Sequence, residues 1–507
     1  MCETIYACPR CKVLEPDGKK YTHKSVKRQP ELQTLLLPDT AIGYDVMCFV
    51  GCQRYLVRRQ RLEIQRELVE DYGITLSTGE ISNLEKSFTI YLKALHEARA
   101  EPIRTRMASS GGYVLHIDAT CETGRGTIFI AYCGWREWVL GAWKIPTERC
   151  DAMLPKLQGV EARFGAPRGI MRDLGRAVTE AAVALVGVRG REIRILACHL
   201  HFLKDIGKDL LSPGHDKLRD LFRQHKVRTR LASHARKLGR NIGGDIGKTP
   251  DMIDAWLDAE RHQPLPGGAS GLAIVRALTQ WVLDFAADGE GGGFPFERPM
   301  LDLYARCYRA LRATEALLEH PPEDKAVARA LTGLHTILVT VRSQVPQFDG
   351  TARTLESRAR LFDELRETLR ITPKQGPGAP ADQAQQVTEL SDVEAGLKAL
   401  EQSLRERRPE RGPAQDMREA IDIILVHIER HGSNLWGHVL TEPDGTKRVM
   451  ARTNVILERL FGHSKRRERR RSGRKNLAHD LEQLPAGLLG LQPGETGLSR
   501  RRLRWVT

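Results

Sequence analysis

No run of apolar residues in this chain approaches the roughly 20 that a membrane-spanning helix needs, so no membrane partner is expected. The opening residues, MCETIYACPRCK, have no apolar core of the kind that directs secretion, which points to a reducing, intracellular setting. Ten cysteines among 507 residues are too few for a disulfide framework. Those that cluster are better read as metal ligands. No internal repeat is visible. Acidic residues are also in deficit: 64 Asp and Glu face 79 Lys and Arg, a formal net charge of +15. A surplus of this size favours polyanionic partners, nucleic acid first among them.

Two cysteine pairs open the chain. Cys8 and Cys11 form C-x-x-C, and Cys48 and Cys52 stand with three residues between them. Tetrahedral zinc takes about four soft ligands, which two such chelating pairs supply, so Zn²⁺ on Cys8, Cys11, Cys48 and Cys52 is expected in a zinc-binding region, 1–60. No βαβ pattern surrounds CPRC, which argues against a redox pair. Residues 62–72 fit a helix ending at Gly73, and Ser77 or Thr78 suits the cap of a second. Together they read as a helix-turn-helix region, 61–100, presenting Ser82, Asn83 and Lys86 to a major groove, flanked by Arg54, Arg58, Arg59 and Arg61.

Residues 111–211 alternate apolar runs with helical patterns, as an α/β core does. YVLHIDAT stops at Asp118, and TIFIAYCGW and EWVLGAWKI follow at hairpin distance. A helix fits 148–164. PRGIMRDLG then gives a short strand ending at Asp173, followed by a helix and the strand REIRILACHL. A carboxylate ending a buried strand is costly unless neutralised, and two on adjacent strands can share a divalent ion. The bland alternative is an Asp that merely caps a turn. Residues 212–432 read as a mainly α-helical stretch of about 220 residues, too long for a simple connection. It is interrupted by GEGGGFPFERP and PKQGPGAPADQ. Its basic run 215–240 suits either DNA or a solvated face, and Trp281 suits the core better than stacking on a base. Residues 433–476 turn extended, SNLWGHVL (433–440) first and then an Asp444-Gly445 turn, and end in a helix from about Arg452. Residues 477–507 form a basic tail. The helix carries Thr453, Asn454 and Glu458, and then nine Lys or Arg over 459–475. Asn454, Glu458 and Lys465 share roughly one face. Asn454, Lys465 and Arg466 therefore suit DNA phosphate, and Glu458 suits a metal.

Strand, strand, strand, helix, strand, helix, strand, with acids ending the first and fourth strands, resembles the RNase H-like nucleases and DDE transposases. The resemblance covers 111–211 and resumes at 433–476, where Thr453-Asn454 before Glu458 resembles the stretch holding the family's third acid. Cys198 and His201 form C-x-x-H after the fifth strand, as in Mutator-like, hAT and related bacterial insertion elements with a helical insertion, and a structural role suits them best. The resemblance implies an RNase H-like core interrupted by the helical insertion. It also implies Asp118, Asp173 and Glu458 as catalytic ligands of Mg²⁺ or Mn²⁺, and cleavage and strand transfer at mobile-element ends. The partners it implies are double-stranded DNA, both element ends and target, and further copies of the chain, in the cytoplasm and nucleoid-associated. A nuclease without strand transfer and a domesticated, non-catalytic DNA-binding protein are the alternatives.

Overall fold

In the computed structural model the described residues are 12–14, 20–22, 34–38, 40–121, 126–187, 193–240, 242, 253, 255–257, 270–285, 293–373, 380–382, 387–412, 414–442 and 444–473. They are mostly helical, with one mixed five-stranded sheet. No described helix is long and apolar enough to cross a membrane. The chain divides into two compact units. One draws on Met1–Arg168, Glu180–Arg191 and Leu457–Thr507; the other draws on Gly169–Thr179 and Glu192–Ile456.

The first unit opens with a small antiparallel ladder, β1 (Lys12–Leu14) and β2 (Lys20–Thr22). Helices α1 (Tyr44–Cys52), α2 (Arg61–Tyr72) and α3 (Thr78–Ala98) follow. Gly73, at φ 66°, closes α2 in the left-handed conformation that a side chain resists. Ser77 caps α3 reciprocally with Glu80: its hydroxyl accepts the Glu80 N–H at 3.2 Å, and the Glu80 carboxylate accepts the Ser77 N–H at 2.7 Å. Met47, Val50, Ile64, Leu68, Ile81, Leu84 and Phe88 form the core of the three helices. Gly51 lets α1 approach closely, because a Cβ there would lie 2.0 Å from the Phe88 ring. The sequence pattern did not anticipate α1. Helix α4 (Ala100–Ala108) leads into the sheet.

Strands β3 (Val114–Cys121), β4 (Thr127–Cys133) and β5 (Trp138–Ile145) form an antiparallel meander, with Asp118 opposite Ile130. All of β4 is buried, which accounts for its unbroken apolar run. After α5 (Cys150–Phe164), the strands β6 (Gly169–Arg172) and β7 (Arg194–Ala197) pair in parallel, joined through α6 (Arg176–Gly187). The sheet order is β5-β4-β3-β6-β7.

The second unit is dominated by α7 (His199–Gln224), α8 (Val227–Gly239), α9 (Gly271–Leu283), α10 (Pro299–Glu319), α11 (Lys325–Val339), α12 (Pro346–Thr368), α13 (Val387–Arg407) and α14 (Gln415–His431). Helix α7 continues through Pro213 and Gly214, across the 211/212 division read from the sequence. Its face of Leu203, Leu210, Leu211, Leu218 and Phe222 is buried and holds it along α12. Trp281 is core, as expected, with the Arg306 and Arg309 guanidinium groups over its ring at 4.7 and 5.2 Å. Two further ladders lie here: β8 (Ile371–Pro373) with β9 (Pro380–Asp382), and β10 (Val439–Thr441) with β11 (Lys447–Val449). The latter turns at Asp444-Gly445, as the sequence indicated. Regular extended structure begins only at Val439, since Gly432–Asn434 form a 3-10 turn. Helix α15 (Val455–Ser472) closes the described chain.

Candidate functional site

Asp118 sits where β3 leaves the core. Val114 through Asp118 are buried, Ala119 and Thr120 are half-buried, and Cys121 is exposed. Its Oδ1 accepts the Ala119 N–H at 2.7 Å. A carboxylate 5% exposed is a demanding group to bury. Helix α15 reaches this strand end from far along the chain. Lys465 Nζ donates to Thr120 Oγ1 at 2.9 Å and to the Cys121 carbonyl at 3.0 Å. Glu458 lies half-buried in the first turn of α15, two turns before Lys465, where a helix N-terminus favours an anion. Lys465 is thus engaged by the strand end, while Arg466 is exposed to solvent.

The same helix continues to the amino-terminal cluster. Arg471 is buried beside Glu468, and its guanidinium lies 4.8 Å from the Tyr55 ring centre. Nearby, Glu85 of α3 is fully buried and takes two cations, Arg54 at 3.0 Å and Arg61 at 2.8 Å. Arg59 pairs with Glu67. Of the flanking arginines expected to face DNA, Arg54, Arg59 and Arg61 are therefore paired with acids of α2 and α3. Asn83 and Lys86 of α3 are exposed and Ser82 is half-buried. Cys48 and Cys52 sit one turn apart on α1, on a helix and not in a loop knuckle. Burial, with Cys48 alongside, pushes the Cys52 thiol up to about 12. Cys8 and Cys11 lie outside the described residues.

In the second unit Asp173 directly follows β6. It is half-buried, and its Oδ1 accepts the Gly175 N–H at 3.1 Å. Arg172 is buried and donates to the Asp173 carbonyl at 2.7 Å. The two motifs singled out after the fifth strand and before α15 interlock. Cys198 Sγ accepts the Asn454 N–H at 3.1 Å, and the Arg452 carbonyl accepts the His199 N–H at 2.9 Å. Arg452, nearly inaccessible, donates to the Leu369 carbonyl at 2.9 Å and to His199 Nδ1 at 3.2 Å. That leaves the His199 proton on Nε2, which donates to the Leu435 carbonyl at 2.9 Å. Burial first, then Arg452, hold the His199 pKa at about 3. Asn454 is fully buried, so the expectation that it contacts DNA is corrected: no solvent-side partner can reach it. Cys198 is buried and structural in its contacts, and His201 is half-buried.

No protein-family model matches the chain, and no curated protein is significantly similar to it.

One cluster escaped the sequence reading. Asp205 of α7 and His427 and His431 of α14 each offer a ligand atom, all within 4.8 Å of one another. His427 Nε2 lies 3.0 Å from Asp209 Oδ2, and its Nδ1 lies 3.8 Å from Asp205 Oδ2. Burial, followed by Arg172 and His427, depresses the His431 pKa and favours a neutral ring. Two histidines four residues apart in VHIERH were the available signal; the acid comes from a helix distant in sequence.

Proposed function

We propose that the protein is a DNA transposase, a metal-dependent phosphoryl-transfer enzyme with an RNase H-like core. The observation that carries this reading is the seating of α15 on β3 through Lys465, Thr120 and Cys121. It brings the helix that bears Glu458 to the strand that bears Asp118.

Asp118, Asp173 and Glu458 offer only oxygen donors, which suits a hard ion such as Mg²⁺ or Mn²⁺. Bound ions would polarise the attacking and leaving oxygens of a DNA phosphate. The three carboxylates would hold them, and Lys465, fixed to the strand end, would position the Glu458 helix. Water would attack phosphorus and break the bond to the 3′ oxygen, freeing a 3′-hydroxyl. That hydroxyl would then attack a phosphorus of target DNA, forming a new phosphodiester as the target strand's own 3′ oxygen leaves and takes up a proton. Asn83, Lys86 and Arg466 are exposed and available to duplex DNA, with Ser82 beside them. Zn²⁺ on Cys8, Cys11, Cys48 and Cys52, assembly of copies on DNA and nucleoid association belong to the same proposal.

The test uses the full chain with Mg²⁺ or Mn²⁺ on labelled duplexes made from the DNA on either side of its gene, where the proposal expects inverted repeats. Asp118→Asn, Asp173→Asn and Glu458→Gln should each abolish cleavage and leave DNA binding within about two-fold, because an amide keeps the shape and loses the anionic oxygen. Wild-type cleavage in any one of them removes that residue from the site. Cleavage without joined products would reduce the proposal to a nuclease.

A further inference from the structure

We propose that Asp205, His427 and His431 form a second metal site, for a divalent transition ion such as Zn²⁺, which clamps α7 to α14. This site is separate from the three carboxylates and does not depend on their role.

The orientation of His427 is the first argument. The residue is 5% exposed. Nε2 faces Asp209 Oδ2 at 3.0 Å, which fixes the ring proton on that nitrogen. Nδ1 is then a bare lone pair. It is fully buried and has no hydrogen-bond partner. A buried acceptor left unsatisfied is costly, and a cation removes the cost. Asp205 Oδ2, at 3.8 Å from that nitrogen, is too far for a hydrogen bond yet close enough to share an ion with it. The carboxylate–histidine–metal relay, in which an outer carboxylate aligns a ligating imidazole, has this arrangement.

The donor set is the second argument. Two imidazole nitrogens and one carboxylate oxygen suit Zn²⁺ or a neighbouring transition ion better than Mg²⁺. Bonds of about 2.0–2.2 Å at tetrahedral angles place ligand atoms roughly 3.5 Å apart. The three atoms, within 4.8 Å of one another, need to close by about an ångström. His427 and His431 are one helical turn apart, so both face α7. Charge is also compatible: Asp205 and Asp209 offset a divalent ion, with Arg172 the neighbouring cation that His431 senses. The acid side is open, since Asp205 is half-buried and Asp209 exposed, so an ion has a route in. Three protein ligands leave a fourth position for water.

The test is a Co²⁺ titration of the metal-stripped full chain, followed by visible absorption. A nitrogen and oxygen donor set gives ligand-field bands without the sulfur charge-transfer band that cysteine ligation produces. The intense bands of four-coordinate nitrogen and oxygen ligation should account for one equivalent per chain apart from any sulfur-ligated or carboxylate-bound ion, disappear in His427→Asn and Asp205→Asn, and survive in Cys48→Ser. Asp209→Asn, which removes only the aligning carboxylate, should weaken binding about 10- to 100-fold. Circular dichroism confirms that each variant is folded. Co²⁺ bands that persist unchanged in folded His427→Asn and Asp205→Asn overturn the site. So does a spectrum showing only sulfur ligation. Loss of cleavage in the carboxylate variants with Co²⁺ binding intact separates this proposal from the nuclease reading.

Discussion

Acid should loosen the second unit through His199. The ring is fully buried, accepts a hydrogen bond from Arg452 and donates one to Leu435, so the folded protein holds it neutral with a pKa of about 3. In the unfolded chain the value is about 6.5. Between these values the unfolded state takes up a proton that the folded state refuses. Stability from this group is therefore fully present above about 6.5 and declines as the pH falls toward about 3. Going from about pH 7 to about pH 5, linkage for one such group gives a loss of about 1.9 kcal/mol. His438, whose ring centre lies 5.0 Å from that of His199, is also depressed by burial and acts in the same direction. The comparison that isolates His199 is His199→Gln, which keeps an amide N–H but has no proton to gain. The assay is the reactivity of Cys198, a buried thiol in the adjacent position, read by mass spectrometry under conditions where labelling follows local opening. The intrinsic pH dependence of the thiol is common to both proteins and cancels. The parent should lose about 2 kcal/mol more protection than the variant over that interval. Equal losses would refute the claim that a buried, neutral His199 sets this response.

Three further outcomes follow from contacts already described. Lys465→Met removes the anchor between α15 and β3, and should lower DNA cleavage about 100-fold by misplacing Glu458, with duplex affinity nearly unchanged in a filter-binding or anisotropy assay. Cys52, buried on α1, should react with iodoacetamide at mildly alkaline pH far more slowly than exposed Cys121; comparable rates in the native chain would contradict its burial. Phe88→Ala should destabilise the amino-terminal helices by about 3–5 kcal/mol in urea unfolding, because the ring fills the space beside Gly51 at the centre of their core.

The sheet was legible because its strands are short, largely apolar runs bounded by turn residues or acids. Val114–Cys121, Thr127–Cys133 and Trp138–Ile145 fall within a residue or two of the ranges read from the sequence. Helices α2 and α3 were legible from Gly73 and Ser77, whose effects are local. Helix α1 was not, since its nine residues are apolar nearly all round and show no periodicity. The division read at 211/212 falls inside α7, whose buried face carries the helix on through Pro213. Long-range pairing defeated the rest. The composition around Asn454 says nothing of Cys198, 256 residues away, whose sulfur accepts its N–H in the interior. Asp209 and His427 are 218 residues apart, and only the packing of α14 on α7 brings them together. The arginines at 54 and 61 read as a basic surface because the acid that absorbs both, Glu85, lies on a different helix.

Helix α15 also bears on how the chain comes to be folded. Lys465 and Thr120 are 345 residues apart, so the first unit is begun early in synthesis and sealed only after the intervening residues have been made. Closing a loop of that size costs only a few tenths of a kcal/mol more than closing one of half to two-thirds its length, but the search is slow because it waits on every intervening helix. During that wait β3 ends without its lysine and Tyr55 without Arg471. A product halted before Val455 would have the amino-terminal helices and Asp118 but none of the helix that bears Glu458. Under the proposed function, premature termination should therefore yield chains unable to cut, and competence should arrive only once this helix has been made.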